Sequence, residues 1–208
     1  MPAVSLEQRV AELEREVAVL RAKQQIHEAL MRYCRGVDRA DADLIASAFH
    51  PDALSDHGLL VFEGNTIGAA LASIERAVRT SMHMVGNELI ELDGDTAYVE
   101  AYFVSYSEVD RDGEPYLISR GARYVDRWER RDGEWRIAYR VVPGEWNRVD
   151  AIVERIPNAD SILATHHSRE DAVYRIRERN WKLRESGGED ASRRFKDSLS
   201  TSGFSEAK

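Results

Sequence analysis

The spacing of the apolar residues changes once along the chain, near Met82, and that change constrains the fold more than any other feature. Before it, apolar residues recur every three or four positions. After it, "HMVGNELIEL", "DTAYVEAYFVSYSEV", "PYLISRGARYVDRWER" and "EWRIAYRVVPGEW" are rich in β-branched and aromatic residues. The turns between them, "DGD", "DRDG" and "RRDG", each supply the Asp-Gly step of a tight hairpin. Helices followed by a meander of four long antiparallel strands predict an α+β domain, with three N-terminal helices packed on one face of a curved sheet.

In the helical part, Val10, Leu13, Val17 and Leu20 form a short heptad seam, and the apolar positions then shift to Ile26, Leu30 and Tyr33. This predicts one helix from about Ser5 to Cys34, whose first half either contacts another subunit or packs on its own domain. Gly36 is expected to loosen the chain after it. Asp41 reads as the N-cap of a second helix, "ADLIASAFH", stopped by Pro51. A third, "NTIGAALASIERAVRTS", has Asn65 as its candidate cap and Ile67, Leu71, Ile74 and Val78 on one face. One short strand is expected within "ALSDHGLLVFEG", and a late amphipathic helix over "SREDAVYRIRERNWKL". The expected divisions are a helical extension over 1–23, a domain over 24–147, a second extension over 148–185 and a disordered polar tail over 186–208.

At 208 residues the chain is long enough to build its core without disulfides, and its one cysteine, Cys34, allows none within the chain. A formal net charge of -8 argues against nucleic acid and anionic membranes as main partners. The charged N-terminus lacks the apolar core of a signal peptide, no apolar run approaches a membrane span, and a cytoplasmic protein is expected. No spacing of histidines and carboxylates suggests a metal centre, and no glycine-rich stretch resembles a phosphate loop, so no cofactor is expected.

In "SMHMVGN", His83 stands between Met82 and Met84 at the entry to a strand. An imidazole in apolar surroundings needs a partner or a cavity, because a buried polar group left unpaired costs roughly 1–3 kcal/mol. The most suggestive partner is Asp38 in "YCRGVDRAD", which follows the first helix. A carboxylate on one ring nitrogen sets the tautomer and raises the basicity of the other. In strand "YVEAY", Ala97, Val99, Ala101 and Phe103 suit the helix-packed face, whereas Tyr98, Glu100, Tyr102, Val104 and Tyr106 suit solvent or a semi-polar pocket. His50, His57, His166 and His167 are expected at helix ends or in loops.

"RYCRGVDRADADLIASAFHPDA", "SMHMVGN" and "DRWERRDGEWRIAYRVV", in that order, resemble the SnoaL-like branch of the nuclear transport factor 2 superfamily, which includes scytalone dehydratase and the lindane dehydrochlorinase. The resemblance runs over about Gln24 to Asn147. It implies a cone, with the curved sheet wrapped around the helices and a deep pocket inside. It also implies an Asp–His catalytic base, matched here by Asp38 and His83. An arginine after the "ERRDG" hairpin is matched by Arg140, for which an ion pair to Asp126 or Glu100 is the plainer expectation. The lysine of the dehydrochlorinase falls on Tyr33, which suits a hydroxyl or carbonyl better than a halide. The dehydratase's second pocket histidine finds no match between Pro115 and Trp146.

The expected function is a cofactor-independent lyase or isomerase, dehydratase-like, acting on a small hydrophobic cyclic molecule. His83 takes a proton and Asp38 holds His83. Tyr33 and Arg140 bind the oxygen that gains charge, and Met84, Tyr102, Met82 and Phe103 contribute to the pocket. The alternative is a non-catalytic binding or assembly subunit of the same fold, such as the small subunit of a ring-hydroxylating dioxygenase. The resemblance and the seam together predict a homo-oligomer, trimer or dimer.

Overall fold

The computed structural model of the chain describes residues 5–156, 159, 162 and 164–177. Helix α1 (Leu6–Asp38) begins at a capping box, in which the Ser5 side chain accepts from the Gln8 backbone and the Gln8 side chain accepts from the Ser5 backbone. At 1.5 Å per residue it spans about 50 Å. Ile26, Ala29, Leu30, Tyr33, Cys34 and Val37 are buried, whereas Val10, Leu13, Val17 and Leu20 of the seam, and Leu6 before it, stay exposed.

The helix does not yield at Gly36 as the sequence suggests. It continues to Asp38 and closes in a Schellman turn: Asp41 N donates to Gly36 O, Ala40 N donates to Val37 O, and Ala40 takes the left-handed position at φ 51°. Gly36 has another use. A Cβ there would lie 2.8 Å from the Ile45 backbone nitrogen, so its absence lets helix α2 (Ala42–Ala46) seat on α1.

Helix α2, capped by Asp41, is shorter than expected. Phe49, His50 and Pro51 already belong to strand β1 (Phe49–Asp56), which runs parallel to strand β6 (Glu134–Val141) and pairs with β2 (Val61–Glu63). Long-range pairing here overrides local helical preference, and Pro51 falls where the β1–β6 register shifts. Helix α3 (Ile67–Glu75) follows, with Thr66 rather than Asn65 at its N-cap position and no side-chain cap. Strands β3 (Thr80–Asp93), β4 (Thr96–Arg111) and β5 (Glu114–Arg131) form the expected meander. Asp112–Gly113 and Asp132–Gly133 both take positive φ, as two-residue hairpin turns require.

The sheet order is β2-β1-β6-β5-β4-β3, open at both ends and mixed because of the parallel β1–β6 pair. The last expected strand is two strands. β6 pairs with the second half of β5, then Pro143, which has no N–H to give a ladder, interrupts the chain. Strand β7 (Gly144–Ala151) returns along the first half of β5. The helices cover the face bearing Ala97, Val99, Ala101 and Phe103, and these four are buried. In β3 a bulge at Gly86–Asn87 shifts the alternation, so Ser81, His83 and Val85 point inward before it and Glu88, Ile90 and Leu92 after it. Glu88 thereby meets His27 of α1 at 2.7 Å. Of the late helix, one turn, α4 (Ala172–Arg175), lies within the described residues. It docks on the α1–α2 corner through Tyr174 to Asp41 (2.7 Å) and Asp171 to Arg39 (3.1 Å). Residues 168–171 and 176–177 of the expected helix are turn or bend instead, and 178–183 and the polar tail fall outside the described residues.

Candidate active site

The Schellman turn aims Asp38 away from α1 and toward β3. Its Oδ1 lies 2.6 Å from His83 Nδ1, and its Oδ2 accepts the His83 backbone N–H at 3.0 Å. The two side chains are 13% and 8% exposed, so the pair is screened from water but not sealed. With Nδ1 held by the carboxylate, the proton on that nitrogen is fixed and Nε2 is left as the basic position. Nε2 makes no hydrogen bond among the described residues, and His83 lines a cavity of about 400 Å³.

Val37, Leu71, Ile74 and Phe103 supply the apolar wall, and Phe103 stacks on Tyr124 with centroids 4.3 Å apart. Tyr33 reaches the cavity too. Burial pushes its hydroxyl pKa up to about 12 against the tempering charge of Arg140, so it stays protonated and able to donate. Gly121 makes room for Trp146 at the rim, since a Cβ at 121 would fall 2.3 Å from the indole nitrogen.

Four expected pocket residues lie elsewhere. Alternation that turns His83 inward turns Met82 and Met84 outward, and Met84 is 60% exposed. Tyr102, 43% exposed, shares the outer face, with the Arg123 guanidinium over its ring. Arg140 faces inward but does not line the cavity. It is fully buried, grips Asp126 through Nε (2.7 Å) and Nη2 (2.6 Å), and is wrapped by the rings of Tyr33, Tyr124 and Phe49. Burial works against its charge and Asp126 more than restores it, so the guanidinium stays ionised.

Three polar groups in the cavity wall were not expected there from the sequence. His57 lies in the wall rather than in solvent. Its Nε2 is 3.0 Å from Ser55 Oγ, and burial together with the Arg140 charge pushes its pKa down to about 4, so it is neutral at ordinary pH. Glu75 lines the cavity while 7% exposed. It sits four residues after Leu71 on the apolar stripe of α3, a signal available in the sequence. Arg120 is directly opposite Ser105 across the β4–β5 ladder, hence on the inward face, and forms no ion pair among the described residues. His50 also departs from expectation: it is buried in β1, with Nε2 2.9 Å from the Glu129 carbonyl.

The family model described as a SnoaL-like domain matches residues 18–141. Among solved structures, a hexachlorocyclohexane dehydrochlorinase, LinA type 3 of Novosphingobium barchaimii, is similar at 19% identity over 68% of this chain and 99% of its own, with a TM-score of 0.60. A provisionally assigned scytalone dehydratase of Novosphingobium aromaticivorans shares 17% identity over 62% of this chain and 87% of its own, with a TM-score of 0.55. A provisionally assigned aromatic ring hydroxylase of that organism shares 20% over 64% and 94%, with a TM-score of 0.56. At these identities the likeness is one of fold, the nuclear transport factor 2-like cone.

Proposed function

The chain belongs to the SnoaL-like domain family, and we propose that it is a cofactor-independent lyase or isomerase that uses His83 as a general base on a small hydrophobic cyclic substrate. The observation that carries this reading is the Asp38–His83 pair, whose imidazole lines a cavity and keeps its second nitrogen without a hydrogen bond among the described residues. A cavity of about 400 Å³ falls within the range of small-molecule sites, about 300–1,000 Å³. His83 Nε2 takes a proton from carbon beside a carbonyl, Asp38 stabilises the imidazolium, and Tyr33 donates to the oxygen that gains charge. The role expected of Arg140 at that oxygen is withdrawn, because its guanidinium is committed to Asp126.

The direct test needs no knowledge of the natural substrate. Cyclic ketones are incubated with the protein in deuterated water, and loss of their α-protons is followed by NMR. The wild type accelerates exchange of at least one ketone, and His83→Ala lowers that rate by about 10²–10⁴-fold. Exchange as fast in the variant as in the wild type overturns the base assignment.

The proposal includes a homo-oligomer, trimer or dimer, in the cytoplasm, with the exposed stripe of Val10, Leu13 and Val17 contacting a neighbouring copy. Deleting residues 1–21 is expected to weaken assembly in light scattering while the cavity persists. A full-length chain that is monomeric at micromolar concentration refutes this part.

A further inference from the structure

We propose that Arg120 is an anion anchor at the mouth of the cavity, and that the ligand it serves carries a carboxylate beside its apolar ring. This rests on the reading of that cavity as a small-molecule site and adds the group that orients a ligand within it. Apolar walls hold a ring without fixing which way round it lies, and a few placed polar groups set the orientation.

Arg120 lines the cavity and is itself exposed, which puts its side chain at the opening. Every other arginine of β5, β6 and β7 has a carboxylate within ion-pair distance. Arg123, three residues along the same strand, holds Glu100 and Glu145 at 2.7 Å each. Arg120 has no hydrogen bond, ion pair or ring contact among the described residues, in a chain with 37 acidic residues and a net charge of -8. An arginine left without a carboxylate where carboxylates are plentiful, and set in a cavity wall, is free to take one from a ligand.

Glu75, the acid that shares the wall, forms no ion pair with Arg120 among the described residues. Burial pushes its carboxyl above the ordinary range, toward the neutral acid, so it competes less for the guanidinium. Behind burial, Arg120 is among the charges that act on both Glu75 and His57, so its field reaches into the cavity. The opening around it is apolar: Leu59, Leu60 and Trp146 are exposed and line the same cavity. The planar fork of a guanidinium matches the two oxygens of a carboxylate, and the apolar rim accepts the ring behind it. Register fixes the reach. Ser105 of β4 is the ladder partner of both His83 and Arg120. Two strand spacings of about 4.8 Å separate their Cα atoms by about 10 Å on one face of the sheet. A six-membered ring therefore stands beside His83 while its carboxylate meets Arg120.

The binding test uses three ligands of one shape. 4-Fluorobenzoate, 4-fluorobenzamide and 4-fluorobenzylammonium are titrated against the full chain and followed by fluorine NMR. The wild type is expected to bind the benzoate about 10-fold more tightly than the amide. Arg120→Met is expected to bind the two alike, and Arg120→Glu to favour the ammonium ion. His83→Ala is expected to keep the wild-type order. Because Arg120 has no partner, both of its variants should melt as the wild type does. Equal affinity for benzoate and amide in the wild type overturns the anchor. So does a preference that survives in Arg120→Met, and so does a benzoate that does not bind. A second measurement separates the anchor from the base. 4-Oxocyclohexanecarboxylate and its amide are followed as they lose α-protons in deuterated water. Arg120→Met is expected to lower the carboxylate-to-amide ratio of kcat/KM by about 10-fold with the amide rate unchanged. His83→Ala is expected to lower both rates and keep the ratio. A ratio that is the same in wild type and Arg120→Met overturns the anchor and leaves the base standing. A benzoate preference that depends on Arg120, with no exchange of either ketone, keeps the anchor and removes the base.

Discussion

Asp38 holds His83 by two hydrogen bonds, and Asp126 holds Arg140 by two. Both pairs lie on the helix-covered side of the sheet. They differ in what surrounds the base. Tyr33, Phe49 and Tyr124 wrap the guanidinium, and Trp128 adds a hydrogen bond to Asp126 at 3.2 Å, so nothing of the pair meets the cavity. The imidazole keeps one nitrogen uncommitted toward open volume. Pairing with a carboxylate is thus not what distinguishes a site from a strut. A buried ion pair anchors the cone, whereas one left open at a single atom is able to act on a ligand.

The difference breaks most sharply at the carboxylates. Asp38→Asn removes the charge that supports the imidazolium, and ketone exchange is expected to fall by about 10²–10⁴-fold with little change in melting temperature. Asp126→Leu is expected to do the reverse. It strands the Arg140 charge in the core at a cost of about 3–5 kcal/mol in denaturant unfolding, and the double variant Asp126→Leu with Arg140→Met recovers most of that loss. If Asp126→Leu leaves stability intact, Arg140 is not the anchor described.

His57 sharpens the comparison through pH. Its folded pKa, about 4, lies below the ordinary 6.5, so the folded state binds fewer protons than the unfolded chain between those values. Its contribution is present above pH 6.5 and is lost as pH falls toward 4, by about 1–2 kcal/mol after discounting for partial exposure. His57→Asn should flatten that limb of the stability profile, and an unchanged limb assigns it to another group. The smallest effects belong to the outer face. Met84→Ala and Tyr102→Ala should each change stability by about 0.5 kcal/mol and exchange rates by less than about twofold. A large rate loss in either contradicts the outward placement.

Much of the architecture is legible residue by residue. Asp-Gly at 112–113 and 132–133 requires two-residue hairpins, and the alternation in "TAYVEAYFVS" marks Ala97 to Phe103 as the packed face. The second histidine of the cavity is harder to see. His57 follows a strand of only eight residues and precedes Gly58, so it looks like a loop tip. Only the β1–β2 hairpin, docked beside the cavity, brings it inward. Met84 misleads for the opposite reason. An apolar residue next to His83 suggests a common pocket, but in a strand neighbours point to opposite faces.

By itself, the sequence determined the features that depend on a few adjacent residues: where the period switches, where the hairpins turn, and which residues of β4 share a face. It offered Asp38 as the most suggestive partner for His83, and the family resemblance matched both residues to an Asp–His base. Tertiary structure decided which features carry chemistry. It set β1 parallel to β6, split the last strand at Pro143, closed aromatic rings over Arg140, and turned Glu75 and His57 into one cavity. The physical reason is range. Turn and strand preferences are local sterics, whereas exposure of a nitrogen or burial of a carboxyl is set by layers that meet only when the sheet bends over the helices. His83 and Asp38, 45 residues apart, touch only then.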